Sequence, residues 1–131
     1  MTPILVDTDL IIDFTKGKNA VLQKLLKKQR QKEVELFVTP IVVAEFFTDI
    51  QLKDPEKRRK ARRLFTAFSQ TKITGETGYL AGKLLRERKT HTIGDALNAS
   101  VCLLQNLELA TRNIKDYEKI PKLILFTSTA D

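Results

Sequence analysis

Asp7, Glu45, Asp95 and Asp116 are spread across the whole chain, each where a strand or helix would present it at one end of a sheet. Gathering carboxylates is costly, because like charges raise one another's pKa. A fold that does so usually places them around a cation, and for an all-oxygen set the cation is Mg²⁺ or Mn²⁺. Glu45 makes the point most sharply: its neighbours Ile41, Val42, Val43, Ala44, Phe46 and Phe47 are all apolar, and a carboxylate buried in such company needs a partner or a ligand.

Each acid also has an ordinary explanation. Asp95 and Asp7 could cap the helices that follow them. Glu45 could be an exposed helix position, and Asp116, in KDYEK, a solvated loop residue. Only the joint pattern favours a site. The chain is also basic, with 23 Lys+Arg against 16 Asp+Glu and a formal charge of +7. That excess suits a polyanion such as RNA or DNA, although an acidic protein or a merely basic surface would fit it too. An acidic cluster in a basic protein points to cutting nucleic acid.

Other chemistries are poorly provided for. One Cys and one His cannot make a zinc site of the usual kind. Cys102, in SVCLL, reads as a small buried hydrophobe, and His91 as a loop or surface residue. The N-terminus has no basic leader, and no apolar run reaches the roughly 18 residues of a membrane helix. The expected location is therefore the cytoplasm, with no membrane partner.

These acids need a scaffold. Pro3–Val6 reads as a buried strand, with Asp7-Thr8-Asp9 leading into a short helix over Leu10–Phe14; Asp9 reads as its cap. Apolar residues at helical spacing mark a helix over Asn19–Gln31. Glu35–Val38 is a second strand, after which Thr39 as N-cap and Pro40 in the first turn open a helix carrying IVVAEFFTDIQL. Asp54-Pro55 starts the basic helix EKRRKARRLFTAF. Lys72-Ile73 is a minimal strand, Gly75–Arg88 a helix, and Asp95 opens the apolar helix ALNASVCLLQ. Leu107–Ala110 and Leu123–Phe126 are the last strands. Short apolar strands alternating with helices predict one α/β domain over residues 1–131, with a short, mainly parallel sheet of four to five strands flanked by helices. Sites in such sheets lie outside the carboxyl ends of the strands, where Asp7 and Thr111-Arg112-Asn113 would meet.

The segments ILVDTDLIIDF, VTPIVVAEFF, HTIGDALNASVCLL and LATRNIKDYEKI appear in the order and approximate spacing of PIN-domain ribonucleases. Over about Ile4–Phe126 the chain resembles the VapC toxins of prokaryotic toxin–antitoxin pairs. The resemblance implies a PIN-like fold and a metal-dependent endoribonuclease that leaves a 5′-phosphate and a 3′-hydroxyl. It matches Asp7 to the family's first acid after strand 1, Glu45 to the glutamate of T-x-x-x-x-E, and Asp95 to the aspartate of I-x-D-A-x-x-A. The fourth place lies between Asn113, where many members carry aspartate, and Asp116, one helical turn later. Metal binding and catalysis are thus expected of Asp7, Glu45, Asp95 and Asp116, with Mg²⁺ or Mn²⁺ as cofactor. Substrate contacts are expected of Thr8, Thr111, Arg112 and Asn113, the two hydroxyls also orienting carboxylates.

The implied partners are RNA (a tRNA or ribosomal RNA among the candidates), a VapB-like antitoxin and a second copy of the chain. The faces around Phe46, Phe47 and Ile50, or Phe65 and Phe68, are candidates for the homodimer. Arg58, Arg59, Arg62 and Arg63, with Lys83, Arg86, Arg88 and Lys89, could flank the pocket and hold phosphates. Two other readings remain. A catalytically degenerate PIN-like module would bind RNA or protein without cutting, and Asn113 keeps that reading alive. A haloacid-dehalogenase-like phosphatase would use Asp7 and Asp9 as its D-x-D, but the acidic pair that family expects does not follow.

Overall fold

The computed structural model describes residues 1–127. The chain opens with β1 (Thr2–Val6), which enters the core at Ile4, Leu5 and Val6, all fully buried. Two helices, α1 (Thr8–Thr15) and α2 (Val21–Arg30), carry it back to β2 (Val34–Val38). Then come α3 (Pro40–Phe46), a 3₁₀ turn (Ile50–Lys53), α4 (Pro55–Phe65), β3 (Ser69–Gln70) and the helices α5 (Gly75–Arg86) and α6 (Ile93–Gln105). β4 (Glu108–Ala110) and a 3₁₀ turn (Ile114–Asp116) complete the described elements.

Among the described residues the four strands pair in the order β3-β2-β1-β4, every pair parallel. β1 is therefore interior, flanked by β2 (Ile4 opposite Leu36) and β4 (Val6 opposite Ala110). The strand order reverses at β1, so a crevice opens beyond its carboxyl end. Both faces of the sheet are covered, as a parallel sheet requires. Leu10, Ile11, Leu22, Leu25, Val42, Phe46, Phe65 and Phe68 pack one side, while Leu84, Ala99, Val101, Cys102, Tyr117 and Ile120 pack the other.

Three elements differ from expectation. The third strand is Ser69–Gln70, not Lys72-Ile73, because it registers Phe37 against Ser69 and Val38 against Gln70 at the very end of β2. Lys72 lies beyond that edge and is exposed. The helix opened by Thr39 stops at Phe46 instead of running on through Leu52. Its Glu45 carbonyl accepts from Thr48 Oγ1 at 2.7 Å, and Asp49 begins the 3₁₀ turn by accepting from Gln51 N; such side-chain bonds compete with helix continuation. The segment Leu123–Phe126 contributes only a bridge, with Leu109 donating to the Ile124 carbonyl and accepting from Phe126 N. Four strands satisfy the expected four to five.

The phenylalanines are also reassigned. Phe46, Phe65 and Phe68 are buried, and Phe46 meets Phe65 edge-on with ring centroids 5.1 Å apart. They form a core cluster, the arrangement aromatic quadrupoles favour, and are not a free face for a second copy. Ile50 does remain exposed.

Candidate active site

The sequence places a polar residue just past β1, β2 and β4 (Asp7, Thr39 and Thr111), because the apolar run that makes each of these strands ends there. Asp7 follows β1, and its backbone N–H donates to the Ala110 carbonyl of β4. Asp7 is also the N-cap of α1, accepting from Thr8 N at 2.9 Å through Oδ1. Its Oδ2 accepts from Thr111 Oγ1 at 3.0 Å and from Tyr117 Oη at 2.9 Å. Both oxygens are thus held, by three donors from the first turn of α1 and the segment after β4, and the side chain is buried. Burial, and then the negative charge of Asp9, push the Asp7 carboxyl up to about 6, although the bonds from Tyr117, Thr111 and Thr8 oppose the shift.

Asp95 lies at the first turn of α6, where Thr92 Oγ1 caps the helix by accepting from Asp95 N. The cap is Thr92, which leaves the Asp95 carboxylate free to face the crevice. Its Oδ1 accepts from Tyr117 Oη at 2.8 Å. One phenol therefore touches Asp7 and Asp95 together. Burial and the two carboxylates raise the Tyr117 pKa well above its ordinary value, so the group remains an O–H donor.

Glu45 projects from α3 and is exposed, not buried among the apolar neighbours that flank it in sequence. Those neighbours divide by helical phase: Val42 and Phe46 face the core, while Glu45 faces the crevice and its Oε1 accepts from Thr8 Oγ1 at 2.8 Å. Its other oxygen lies against Gly94, the residue before Asp95, where an added Cβ would come within 2.9 Å. Asp7, Glu45 and Asp95 are thus joined at one sheet edge through Thr8, Tyr117 and the bare backbone of Gly94. None of the three is in an ion pair among the described residues. Nor do three potential ligands already converge on one metal-sized point there. The donor set itself, all carboxylate and hydroxyl oxygen, fits Mg²⁺ or Mn²⁺.

The remaining predicted residues lie at the rim. Asn113 is exposed and Asp116 half-buried on the 3₁₀ turn after β4; no side-chain hydrogen bond joins either to the acids among the described residues. Arg112 is anchored: its Nη1 reaches both oxygens of Asp13 at 2.8 and 3.0 Å, and its backbone N–H donates to Asp9 Oδ2 at 3.0 Å. Asp9 does not cap α1. It sits inside the first turn, clamps Thr111 and Arg112 through Oδ2, and leaves Oδ1 buried with no side-chain hydrogen-bond partner among the described residues. Burial raises its pKa. His91 is exposed, as expected of a loop or surface residue, and Cys102 is buried with its thiol pushed up by burial and by Asp7, so it is not placed for nucleophilic work.

Three contributors escape a reading by residue type. Tyr117 looks like one aromatic in a charged run, Asp13 like an ordinary helix acid, and Asn98 like a helix polar residue. Asn98, fully buried on α6, accepts from Thr39 Oγ1 at 2.6 Å and so ties α6 to the end of β2. Its signal is an amide one helical turn after Asp95 in a largely apolar helix. Of the flanking cations, Arg59 pairs with Glu56 and Arg58 donates to the Leu52 carbonyl. Arg62 and Arg63 are exposed.

A family model described as PIN domain matches residues 4–123. The chain is 27% identical over 133 residues to a ribonuclease VapC of Rickettsia bellii, covering 95% of each. Its fold superposes with a TM-score of 0.77 on VapBC2 of Rickettsia felis, solved bound to a DNA fragment from its promoter, at 22% identity over 95% of this chain and 98% of that one. A toxin–antitoxin complex from Klebsiella pneumoniae matches with a TM-score of 0.70 and 24% identity, covering 92% and 95%.

Proposed function

This chain belongs to the PIN-domain family, and from that premise we propose that it is a divalent-metal-dependent endoribonuclease, the VapC-like toxin of a toxin–antitoxin pair. The observation that carries the reading is that Asp7, Glu45 and Asp95 are brought from three elements to the carboxyl edge of the sheet, linked by hydroxyls and in no ion pair among the described residues. The likeness to ribonuclease VapC over nearly the full length of both chains supports the same reaction class.

In this reading Asp7, Glu45 and Asp95 hold the metal, with Asp116 or Asn113 completing the site from the rim. When bound, Mg²⁺ or Mn²⁺ supplies a water of lowered pKa and neutralises charge on the phosphoryl oxygens. The protein's part is orientation. Thr8 fixes Glu45, Thr111 fixes Asp7, and Tyr117 fixes both Asp7 and Asp95. Exposed Asn113 can donate to a phosphate or a ribose hydroxyl, and the cations of α4 and α5 can hold the backbone on either side. Arg112 contributes by holding the Thr111–Asn113 segment in place through Asp13, with part of its guanidinium still open to RNA.

An antitoxin of the VapB kind is the proposed protein partner, supported by the complexes that share this fold. A homodimer and a cytoplasmic location belong to the same proposal; no described helix is long and apolar enough to cross a membrane. A tRNA or ribosomal RNA is the proposed substrate class. The alternative is a degenerate module that binds RNA without cutting it, and it draws on Asn113 standing where many members carry aspartate and on Asp116 having no hydrogen bond to the other acids among the described residues. A cleavage assay with Mg²⁺ or Mn²⁺ and analysis of product ends separates the two. The nuclease leaves 5′-phosphates and 3′-hydroxyls; RNA that is retained but uncut would identify the binding module.

A further inference from the structure

We infer that Tyr117 is a positioning residue for the metal site, its phenol setting the separation and facing of Asp7 and Asp95. The inference rests on the proposed nuclease reading. Tyr117 is 1% exposed, so its ring is locked in the core. Its Oη lies 2.9 Å from Asp7 Oδ2 and 2.8 Å from Asp95 Oδ1. Those two carboxylate oxygens are therefore held within the span of two hydrogen bonds around a single atom.

The two acids depend on it unequally. Asp7 keeps Thr8 N and Thr111 Oγ1 as donors if the phenol is removed. The Asp95 carboxylate has no other side-chain or backbone donor among the described residues. Asp95 stands on α6, Asp7 at the end of β1, and Tyr117 beyond β4. Among the described residues the phenol is thus the only side-chain hydrogen-bonded link that joins α6 to the end of β1 across the site. It offers one hydrogen to two acceptors, so it restrains two like-charged groups without neutralising either. Asp95 keeps Oδ2 without a hydrogen bond among the described residues, and Asp7 Oδ1, which accepts only from Thr8 N there, keeps a lone pair for a cation; a site held in this way loses less entropy when the cation arrives.

The test uses the full chain as wild type, Tyr117→Phe, Asp95→Asn and the double variant, titrated with Mn²⁺ alone and followed by electron paramagnetic resonance. Phenylalanine keeps the ring, so far-UV circular dichroism and Tm are expected to stay near wild type. Mn²⁺ affinity is expected to fall about 10- to 100-fold. In the Asp95→Asn background the further loss should be much smaller, because the phenol acts largely through that acid. RNA cleavage by Tyr117→Phe should recover when Mn²⁺ is raised to saturation. Unchanged Mn²⁺ affinity in Tyr117→Phe, or full additivity in the double variant, would overturn the role of the phenol while leaving the nuclease reading intact. A wild type that binds no Mn²⁺ would overturn both.

Discussion

Asp7 is the residue on which stability and function pull hardest against each other. Three donors hold it, yet burial and Asp9 push its pKa to about 6 from an ordinary 3.8. The folded protein therefore holds this proton more tightly than the unfolded chain. Its contribution to stability is complete below about pH 4 and is lost as pH rises through about 6. In metal-free protein, wild type should lose roughly 2–3 kcal/mol relative to Asp7→Asn between pH 4 and pH 8. Chemical denaturation of both at each pH measures it, and parallel pH profiles would refute it. Gly94 offers a second test. Alanine there would push a Cβ against Glu45 Oε2, the mobile end of a side chain, so Gly94→Ala should leave Tm within about 2 °C while lowering RNA cleavage about tenfold or more. At this scale the three main acids were legible because their charges stand out from apolar or small neighbours. Tyr117 and Asn98 were not, since a buried hydroxyl or amide in sequence looks like any other core or helix residue until its partner is known.

At the scale of elements, what aligns the acids is a set of ties between segments far apart in sequence. Arg112 joins the segment after β4 to α1 through Asp13, whose side chain is 6% exposed. Removing the guanidinium strands a nearly buried charge, whereas a residue that only touched RNA could be removed without cost. Arg112→Ala should therefore destabilise the fold by about 1–3 kcal/mol, discounted for the half-exposed arginine, and Asp13→Asn should relieve much of that loss. Equal denaturation midpoints for wild type and Arg112→Ala would show that the pair does not tie these elements. Thr39 caps α3 and also donates to Asn98, so Thr39→Val should cost about 1–2 kcal/mol by the same measurement. Most elements were legible from apolar spacing and caps: Thr39-Pro40 and Asp54-Pro55 open helices as expected. The misplacements fall where long-range pairing decides. β3 is two residues long and is defined by its register with β2, and α3 ends where Thr48 and Asp49 take over its backbone. Neither register nor competing side-chain bonds can be read from periodicity.

At the scale of the molecule, a parallel sheet with its order reversing at β1 gathers residues from the beginning, middle and end of the chain at one edge. The chain as a whole carries a formal net charge of +7, which should make RNA binding weaken steeply with salt. Replacing Arg62 and Arg63 with Gln should flatten the dependence of log K on log salt by up to about one unit per phosphate contact removed. The fold class was legible from alternation alone, because strands buried on both faces read as short apolar runs between helices. The division of basic residues was not, since Arg59 is already spent on Glu56 and a charge run looks the same whether paired or free. On the proposed function, Asp7 and Asp95 support metal-dependent cutting of RNA. The most direct measurement compares RNA cleavage by wild type, Asp7→Asn and Asp95→Asn with and without Mg²⁺ or Mn²⁺. The wild type should cut only with metal, and each variant should lose at least about 100-fold in rate. Undiminished cutting by both variants, or cutting by the wild type in the presence of a chelator, would contradict it.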